Sequence, residues 1–237
     1  MDWRLLEATR EAAPRVALSE VRPSIRDFIQ YLGAGRQTLG VIPLLARRGP
    51  AAGAAVAADD LAALAVSLDA LEIPALAVTT APGTLAGRLV DLTAVAAVAS
   101  APLLRYDCVA GENRLYESRL AGADAVLVPV ALAAGELPRL VALARAVHVA
   151  CVAEVATRAE CEAALAAGVA VIALAAGALA LAASIPLRYP VLAQEPIEAP
   201  ADLAYLHGVV DAVLIPTRAG VDALARTVTL VDAAAAL

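Results

Sequence analysis

Two side chains of this sequence, Glu154 and Tyr106, are of types that can carry acid–base chemistry, and an apolar residue stands two positions before each. Val152 and Leu104 stand two positions before them, and residues two apart in a strand face the same side. The Glu154 carboxyl group would then lie in apolar surroundings, which raise its pKa unless a neighbour hydrogen-bonds to the charged form. A phenol, with a pKa of about 10, can donate a proton. Glu154 and Tyr106 are therefore the candidate catalytic pair.

Each candidate also has a purely structural interpretation. Glu154 could instead pair with Arg105, with Arg47 or with solvent, because structural ion pairs also perturb pKa values. Tyr106 could simply fill apolar space, which suits an amphipathic ring. Arg47, with Arg48 beside it, could hold an anion at the loop after the first predicted strand, although adjacent arginines are more often simply solvated.

Several classes of chemistry are excluded by residues that the sequence lacks. All eighteen basic residues are arginine, so neither a P-loop nor a Schiff-base lysine can be present. The GxSxG and HExxH motifs are also absent. Three cysteines, Cys108, Cys151 and Cys161, have no CxxC spacing and predict neither a zinc site nor a disulfide framework. The Asp59-Asp60 pair is interpreted as a helix start, so we expect no metal and no cofactor.

Short apolar runs alternate with stretches of helical period, which is typical of βα units around a parallel sheet. Good N-cap residues precede three of the helices, namely Asp59-Asp60, Asn113 and Thr157, and an Ala-rich sixth helix is expected near residue 180. A flavodoxin-like or Rossmann sheet would usually show fewer repeats and a glycine-rich first turn. The pattern predicts an α/β protein with a (β/α)8 barrel. Its eight strands are expected to begin near Val41, Ala75, Pro102, Ala125, Ala150, Val169, Tyr189 and Ala212.

Length and charge limit the protein further. A chain of 237 residues fits one barrel domain, which we place at residues 39–237 after an N-terminal helical extension at 1–38. The net charge of −6, with arginines scattered among acids, argues against a nucleic-acid surface. The uncharged stretch 163–187 is long enough to span a bilayer, but Gly168, Gly177 and Pro186 interrupt it, so no membrane helix is expected. Charged residues near the N-terminus do not suit a secretory signal and predict a cytoplasmic protein.

Three long segments resemble indole-3-glycerol phosphate synthase in order and spacing. They are VIPLLARRGPAAG, APLLRYDCVAGENRLYESRLAGADAVLV and CVAEVATRAECEAALAAGVAVIAL. The triplet Arg26-Asp27-Phe28 also resembles the RDF that precedes the first barrel strand in that family. The resemblance spans nearly the whole chain and implies the same barrel, with an extra helix before it.

The resemblance also implies that most catalytic groups have been replaced. Where the family has EIKxxSPS, residues 44–51 read LLARRGPA, so Leu44 replaces a glutamate and Ala46 a lysine. Where it has RKDF, residues 105–108 read RYDC, so Tyr106 takes the place of the catalytic lysine. Glu154 is the catalytic carboxylate that keeps its position.

The phosphate-binding motifs are changed as well. The family's SESG reads AQEP at 193–196, so Gln194 replaces a glutamate and Pro196 removes a backbone N–H. Among the changed residues, Arg218 could compensate for the lost phosphate contacts. The candidate ligand-binding residues are therefore Arg47, Gln194 and Arg218. The resemblance therefore predicts a non-catalytic homologue kept for interaction, assembly or regulation, with a protein partner, a second copy or a small molecule at the barrel mouth. The alternatives are an enzyme of altered specificity that uses Glu154 and Tyr106 on a small substrate and, least favoured, an active synthase.

Overall fold

A closed barrel of eight parallel strands forms the centre of the molecule in the computed structural model. The structure describes residues 19, 21–47, 58–71, 73–83, 85–133, 135–218 and 221–237, and for 58, 59, 218 and 221–223 the backbone alone. Arg48 and the first eighteen residues of the predicted extension lie outside this part of the chain. The strands are β1 (Gly40–Ala46), β2 (Leu76–Thr79), β3 (Leu103–Tyr106), β4 (Ala125–Pro129), β5 (Ala150–Val155), β6 (Val171–Leu174), β7 (Val191–Ala193) and β8 (Ala212–Arg218).

The predicted (β/α)8 architecture is confirmed. Each strand pairs with the next along the chain, and β8 closes the circle by pairing with β1 from Gly40↔Ala212 to Ala46↔Arg218. Every strand begins within two residues of its predicted start. The near-continuous apolar runs are buried on both faces, as parallel strands covered by helices must be.

Helices lie between the strands and around the barrel. They are α1 (Phe28–Leu32), α2 (Ala58–Asp69), α3 (Leu89–Ala96), α4 (Glu112–Leu120), α5 (Val130–Ala133), α6 (Leu137–Ala146), α7 (Arg158–Ala167) and α8 (Val221–Ala235), with 3-10 helices at Leu179–Ser184 and Pro200–Leu203. No described helix is long and apolar enough to cross a membrane.

The predicted helix starts agree with the structure in one case of three. Thr157 caps α7, since its hydroxyl accepts a hydrogen bond from the Glu160 N–H. The prediction for Asn113 is wrong, because Gly111 takes the extended N-cap conformation and α4 begins one residue before Asn113. Helix α2 begins at Ala58, so Asp60 lies in its first turn, where an acidic side chain suits the helix dipole.

The expected Ala-rich sixth helix is a six-residue 3-10 helix. Gly177, in a left-handed conformation, and Pro186 bracket the segment and leave little room for an α-helix. The uncharged stretch 163–187 is thus divided among the end of α7, β6 and this 3-10 helix. It does not form one continuous helix.

Two apolar cores result from the alternation of side chains along the strands. One fills the space between the barrel and the surrounding helices, and the other fills the barrel itself. Phe28 and Leu32 of α1 belong to the inner core, so the segment before β1 closes the end of the barrel at which the strands begin. The opposite end, where the strands terminate, is the mouth.

A buried carboxylate attaches this N-terminal segment to the barrel. Asp124, immediately before β4, is inaccessible to solvent and accepts from Arg26 Nε at 2.6 Å, from a guanidinium nitrogen of Arg119 at 2.8 Å and from the Leu103 N–H at 2.9 Å. The Ser24 hydroxyl also donates to it. One carboxylate thus joins the N-terminal segment, β3 and α4 at the closed end.

Candidate active site at the barrel mouth

Four side chains from alternate strands form an inner layer of the barrel near its mouth. Tracing the register around the sheet places Leu44, Tyr106, Glu154 and Gln194 at one height, from β1, β3, β5 and the end of β7. Such layers of four are the usual filling of this fold. The layer below is wholly apolar and consists of Ala77, Leu127, Ala173 and Leu214. The predicted inward orientation of Leu44 and Tyr106 is confirmed, since both belong to the inner core.

A hydrogen bond crosses this layer from one side of the barrel to the other. The Tyr106 hydroxyl donates to Gln194 Oε1 at 2.7 Å, joining β3 to the end of β7, which lies opposite β3 in an eight-stranded barrel. Tyr106 is 8% exposed, so the bond is largely shielded from water. We call this pair the Tyr106–Gln194 crossbar. It brings together two of the residues that the sequence nominated.

Glu154 influences the crossbar electrostatically. Burial and the negative charge of Glu154 raise the pKa of Tyr106 well above its usual value of 10. The phenol therefore keeps its proton at neutral pH and remains a donor. The side chain of Glu154 itself is partly exposed to solvent.

The second polar atom of Gln194 lacks a partner. Its Nε2 is buried and makes no hydrogen bond within the described part of the chain, although buried amide nitrogens are almost always paired. Since Oε1 is held by Tyr106, the position of Nε2 is fixed. The layer thus contains a buried N–H donor without an acceptor in the described part of the chain.

The arginine next to Tyr106 points the other way, into the wall of the barrel. Arg105 donates to Thr80 Oγ1 at 2.8 Å, to Asp107 at 3.1 Å, to Glu117 at 2.8 Å and to Ser118 at 2.9 Å. The predicted wall-side pair of Arg105 and Asp107 is confirmed. Because its guanidinium lies outside the inner layer, Arg105 is not the counter-charge of Glu154.

Arg47, at the end of the first strand, is held by a carboxylate that the sequence analysis missed. Its guanidinium meets both oxygens of Asp91 at 2.6–2.9 Å, and Asp91 is fully buried. Asp91 also accepts from the Arg88 N–H at the start of α3, a capping role that its place in the first helical turn could have suggested. The anion-binding role of Arg47 stays a prediction, as does that of Arg218, whose side chain lies outside the described residues.

An internal carboxylate occupies one loop amide at the mouth. Glu195, directly after Gln194, accepts from the Gly177 N–H at 2.8 Å. Gly177 has φ +81° in the loop after β6, a conformation that favours glycine. Three apolar side chains beyond the strand ends pack on the inner core, namely Leu85 and Ala110 of the loops and Leu132 of α5. The described rim is therefore largely apolar, and one of its amides is already bound to an anion.

No group of three or more potential metal ligands occurs among the residues that the structure describes. The chemistry available to the layer is thus that of one carboxylate, one phenol and one carboxamide.

Comparison with known proteins identifies the family of this chain. The sequence model described as indole-3-glycerol phosphate synthase matches residues 5–179. The protein of that name from Rhodococcus jostii is 31% identical over 217 residues, covering 86% of this chain and 80% of that protein. Its counterpart from Nocardioides sp. is 36% identical over 162 residues, covering 68% of this chain and 61% of that protein.

Solved structures resemble the chain in fold. A variant of the tryptophan synthase alpha-subunit from Pyrococcus furiosus has a TM-score of 0.64 at 15% identity, with 85% of this chain and 99% of that chain covered. The 2-keto-3-deoxy-6-phospho-gluconate aldolase from Zymomonas mobilis has a TM-score of 0.61 at 21% identity, covering 89% and 97%. At these identities the likeness concerns the barrel alone. The sequence matches are more specific, and on their extent the chain belongs to the indole-3-glycerol phosphate synthase family.

Proposed function

We propose that this chain is a non-catalytic member of its family that acts through binding to a small molecule, another protein or a second copy of itself. The observation that carries the proposal is the Tyr106–Gln194 crossbar. It places a neutral hydrogen bond at the two positions where the family motifs have a lysine and a glutamate. Two charged groups facing the substrate are thereby replaced by two neutral groups that bind each other.

The crossbar is poorly suited to proton transfer. A general acid works best when its pKa lies near the working pH, whereas the pKa of Tyr106 is raised by burial and by Glu154. Its proton is moreover already donated to Gln194. Ring closure with loss of carbon dioxide and water needs an acid, a base and electrostatic support for the anionic substrate. In this layer Leu44 offers none of these, and Glu154 is the one carboxyl group that the layer retains.

The phosphate end of the substrate would also meet unfavourable groups. Glu195 brings a negative charge to the loop after β7 and occupies the Gly177 N–H. Pro196 has no N–H to offer. Since phosphate sites rely on free backbone N–H groups and cations, these features weaken binding of a phosphorylated substrate.

A second candidate is an enzyme of altered specificity, and the retained Glu154 carboxyl group, which is partly exposed in this layer, favours it. In that case Glu154 would act as the acid or base. Tyr106 would position Gln194 and would not transfer a proton, since its hydroxyl is already engaged.

The test is an assay of the purified chain with the phosphorylated ribulose–anthranilate substrate of the synthase, followed by the indole fluorescence of the product. We expect no turnover above the uncatalysed rate. The Rhodococcus jostii relative, assayed in parallel, serves as the positive control for substrate and detection. Turnover by the unmodified chain would overturn the proposal.

A variant that reverses the replacements sharpens the assay. Leu44→Glu, Ala46→Lys, Tyr106→Lys and Gln194→Glu together restore the family residues of the first, third and seventh strands. Calorimetry then compares substrate binding by this variant and by the unmodified chain. Tighter binding by the variant supports the assignment of the lost activity to this layer. A fold check by circular dichroism accompanies it.

A further inference from the structure

We infer that two copies of this chain associate through the closed end of the barrel about a two-fold axis, with Ile25 of each copy seated in an apolar groove of the other. This inference rests on the proposed function and deepens it, because it selects a second copy from the three kinds of partner named there. It concerns the end of the barrel opposite the mouth and involves neither residue of the Tyr106–Gln194 crossbar.

A groove opens at the closed end, between the segment that leads into α1 and the turn that joins α6 to β5. Its volume is about 570 Å³, within the usual range of pockets that take up apolar groups. The apolar part of its lining includes Phe28, Ile29, Val141, Val149 and Ala170. We call it the closed-end groove. It can accommodate an aliphatic side chain from another molecule.

Ile25 stands at the edge of this groove and is 100% exposed. A single exposed aliphatic side chain is common on protein surfaces and needs no explanation. Ile25, however, adjoins the apolar lining of the closed-end groove, and the half-exposed Ile29 continues the same surface. An apolar surface that is contiguous in this way favours an interaction site.

The backbone that presents Ile25 is held on both sides. The Ser24 hydroxyl and the Arg26 Nε both donate to the buried Asp124 carboxylate. Arg26 also donates to the Ala99 carbonyl group at 2.9 Å. The position of Ile25 is therefore largely fixed before association, which reduces the entropy that binding costs.

Exposed charges of both signs border the closed-end groove. Asp27 accepts through Oδ1 from two N–H groups of α1 and forms no ion pair with a described residue. Arg145 and His148 lie at the turn after α6, and neither contacts a carboxylate in the part of the chain that the structure describes. The Arg145 guanidinium donates to a backbone carbonyl at the end of α7, which holds it in place.

A second copy satisfies these groups together. In a two-fold interface each contact occurs twice, so a projecting side chain beside a groove matches the same pair of features on the other copy. Ile25 of each copy then fills the closed-end groove of the other, and Asp27 of each faces Arg145 and His148 across the interface. An anionic small molecule would leave Asp27 beside a like charge, which is unfavourable.

The test is sedimentation velocity of the full chain over a range of concentrations, in which we expect a reversible monomer–dimer equilibrium. Ile25→Asn should raise the dissociation constant by about a hundredfold, because each of the two copies loses a buried aliphatic side chain. Since Ile25 is fully exposed in the single chain, this variant should fold normally, which circular dichroism checks. Val90→Asn is the matched control, because Val90 is 49% exposed at the start of α3, near the mouth.

The bordering charges provide a second readout. Asp27→Asn, which keeps a good capping side chain, and Arg145→Gln should each weaken association severalfold at low ionic strength. Because the two side chains are partners across the interface, the combined variant should be weakened by less than the product of the two single effects. Added salt should weaken association of the unmodified chain.

Phe28 reports on the groove directly. It is the one phenylalanine of the sequence, it lines the closed-end groove, and it is 2% exposed. Ring-labelled phenylalanine therefore gives the nuclear magnetic resonance signals of this residue alone. We expect these signals to shift with protein concentration along the same curve as the sedimentation data, and to remain at their monomer positions in Ile25→Asn.

Three results would overturn the inference. The first is a chain that stays monomeric up to about 1 mM, the limit of weak association, which would assign the groove to another protein or a small molecule. The second is a dimer that Ile25→Asn does not weaken. The third is a dimer whose formation leaves the Phe28 signals unchanged. None of these bears on turnover of the synthase substrate, so this inference and the non-catalytic proposal fail in separate assays.

Discussion

From the Tyr106–Gln194 crossbar we predict that its two single substitutions change the free energy of unfolding by different amounts. Tyr106→Phe removes the donor of a 2.7 Å hydrogen bond and leaves Gln194 Oε1 without it, which should lower the free energy of unfolding by about 1–3 kcal/mol. Gln194→Leu takes away the acceptor of the same bond but also removes the unpartnered Nε2, whose burial is itself unfavourable by about 1–3 kcal/mol. The two effects offset each other, so Gln194→Leu should lie within about 1 kcal/mol of the wild type.

The same reasoning predicts the stability of the double variant, which combines Tyr106→Phe with Gln194→Leu. Both introduced side chains are apolar and similar in volume to the native ones, so no polar group of the crossbar is left unpaired. Stability should then return to within about 1 kcal/mol of the wild type. The coupling between the two substitutions is favourable, and Tyr106→Phe alone is the least stable of the set.

The measurement is urea unfolding followed by far-ultraviolet circular dichroism at pH 7, with linear extrapolation to zero denaturant. Tyr31→Phe is the matched control, because Tyr31 is 59% exposed and its hydroxyl is expected to contribute less than about 0.5 kcal/mol. If Gln194→Leu destabilises as much as Tyr106→Phe or more, then Nε2 has a partner in the folded protein. The reasoning for an unpaired donor would then be wrong.

Three further predictions concern the rest of the barrel. Asp124→Asn should lower the free energy of unfolding in urea by about 3 kcal/mol, because Arg26 and Arg119 lose a buried counter-charge. A loss below about 1 kcal/mol would contradict this prediction. Burial would raise the pKa of Asp69, but hydrogen bonds from Ser100 and the following amide outweigh it and lower that pKa below its usual 3.8. The stability that Asp69 contributes is therefore present above about pH 4 and is lost as the pH falls through the folded-state pKa, so Asp69→Asn should flatten the acid limb of stability measured against pH. Burial raises the pKa of Cys151 to about 12, so this thiol should not react with Ellman's reagent in the native protein at pH 8, whereas rapid labelling without unfolding would refute the assigned burial.

The barrel could be predicted from the sequence because the signals for its strands and helices are local and recur along the chain. Near-continuous apolar runs, Gly168 after α7 and Thr157 before it mark strand and helix ends within a few residues. Predictions failed where local signals compete, as at Asn113, which is a good capping residue one position too late, and in the Ala-rich segment that becomes a 3-10 helix.

The candidate site could be predicted only in part. Alternation along the strands brought Tyr106 and Glu154 to the inner face, and the motif comparison nominated Gln194. Partners distant in sequence were beyond these arguments, since Tyr106 and Gln194 are 88 positions apart and Arg47 and Asp91 are 44 apart. Which atoms pair depends on barrel closure and register, which no single segment encodes.

The location of the buried Asp124 carboxylate has a consequence for how this barrel can change. Its hydrogen bonds hold the N-terminal segment at the closed end of the barrel, and the Arg105 network lies in the wall outside the inner layer. Substitutions at distant, independent sites have additive effects on stability. The mouth could therefore exchange charged for neutral residues without loss of the ion pairs that hold the fold. For the same reason the four-residue layer is a suitable place to engineer new chemistry into this barrel.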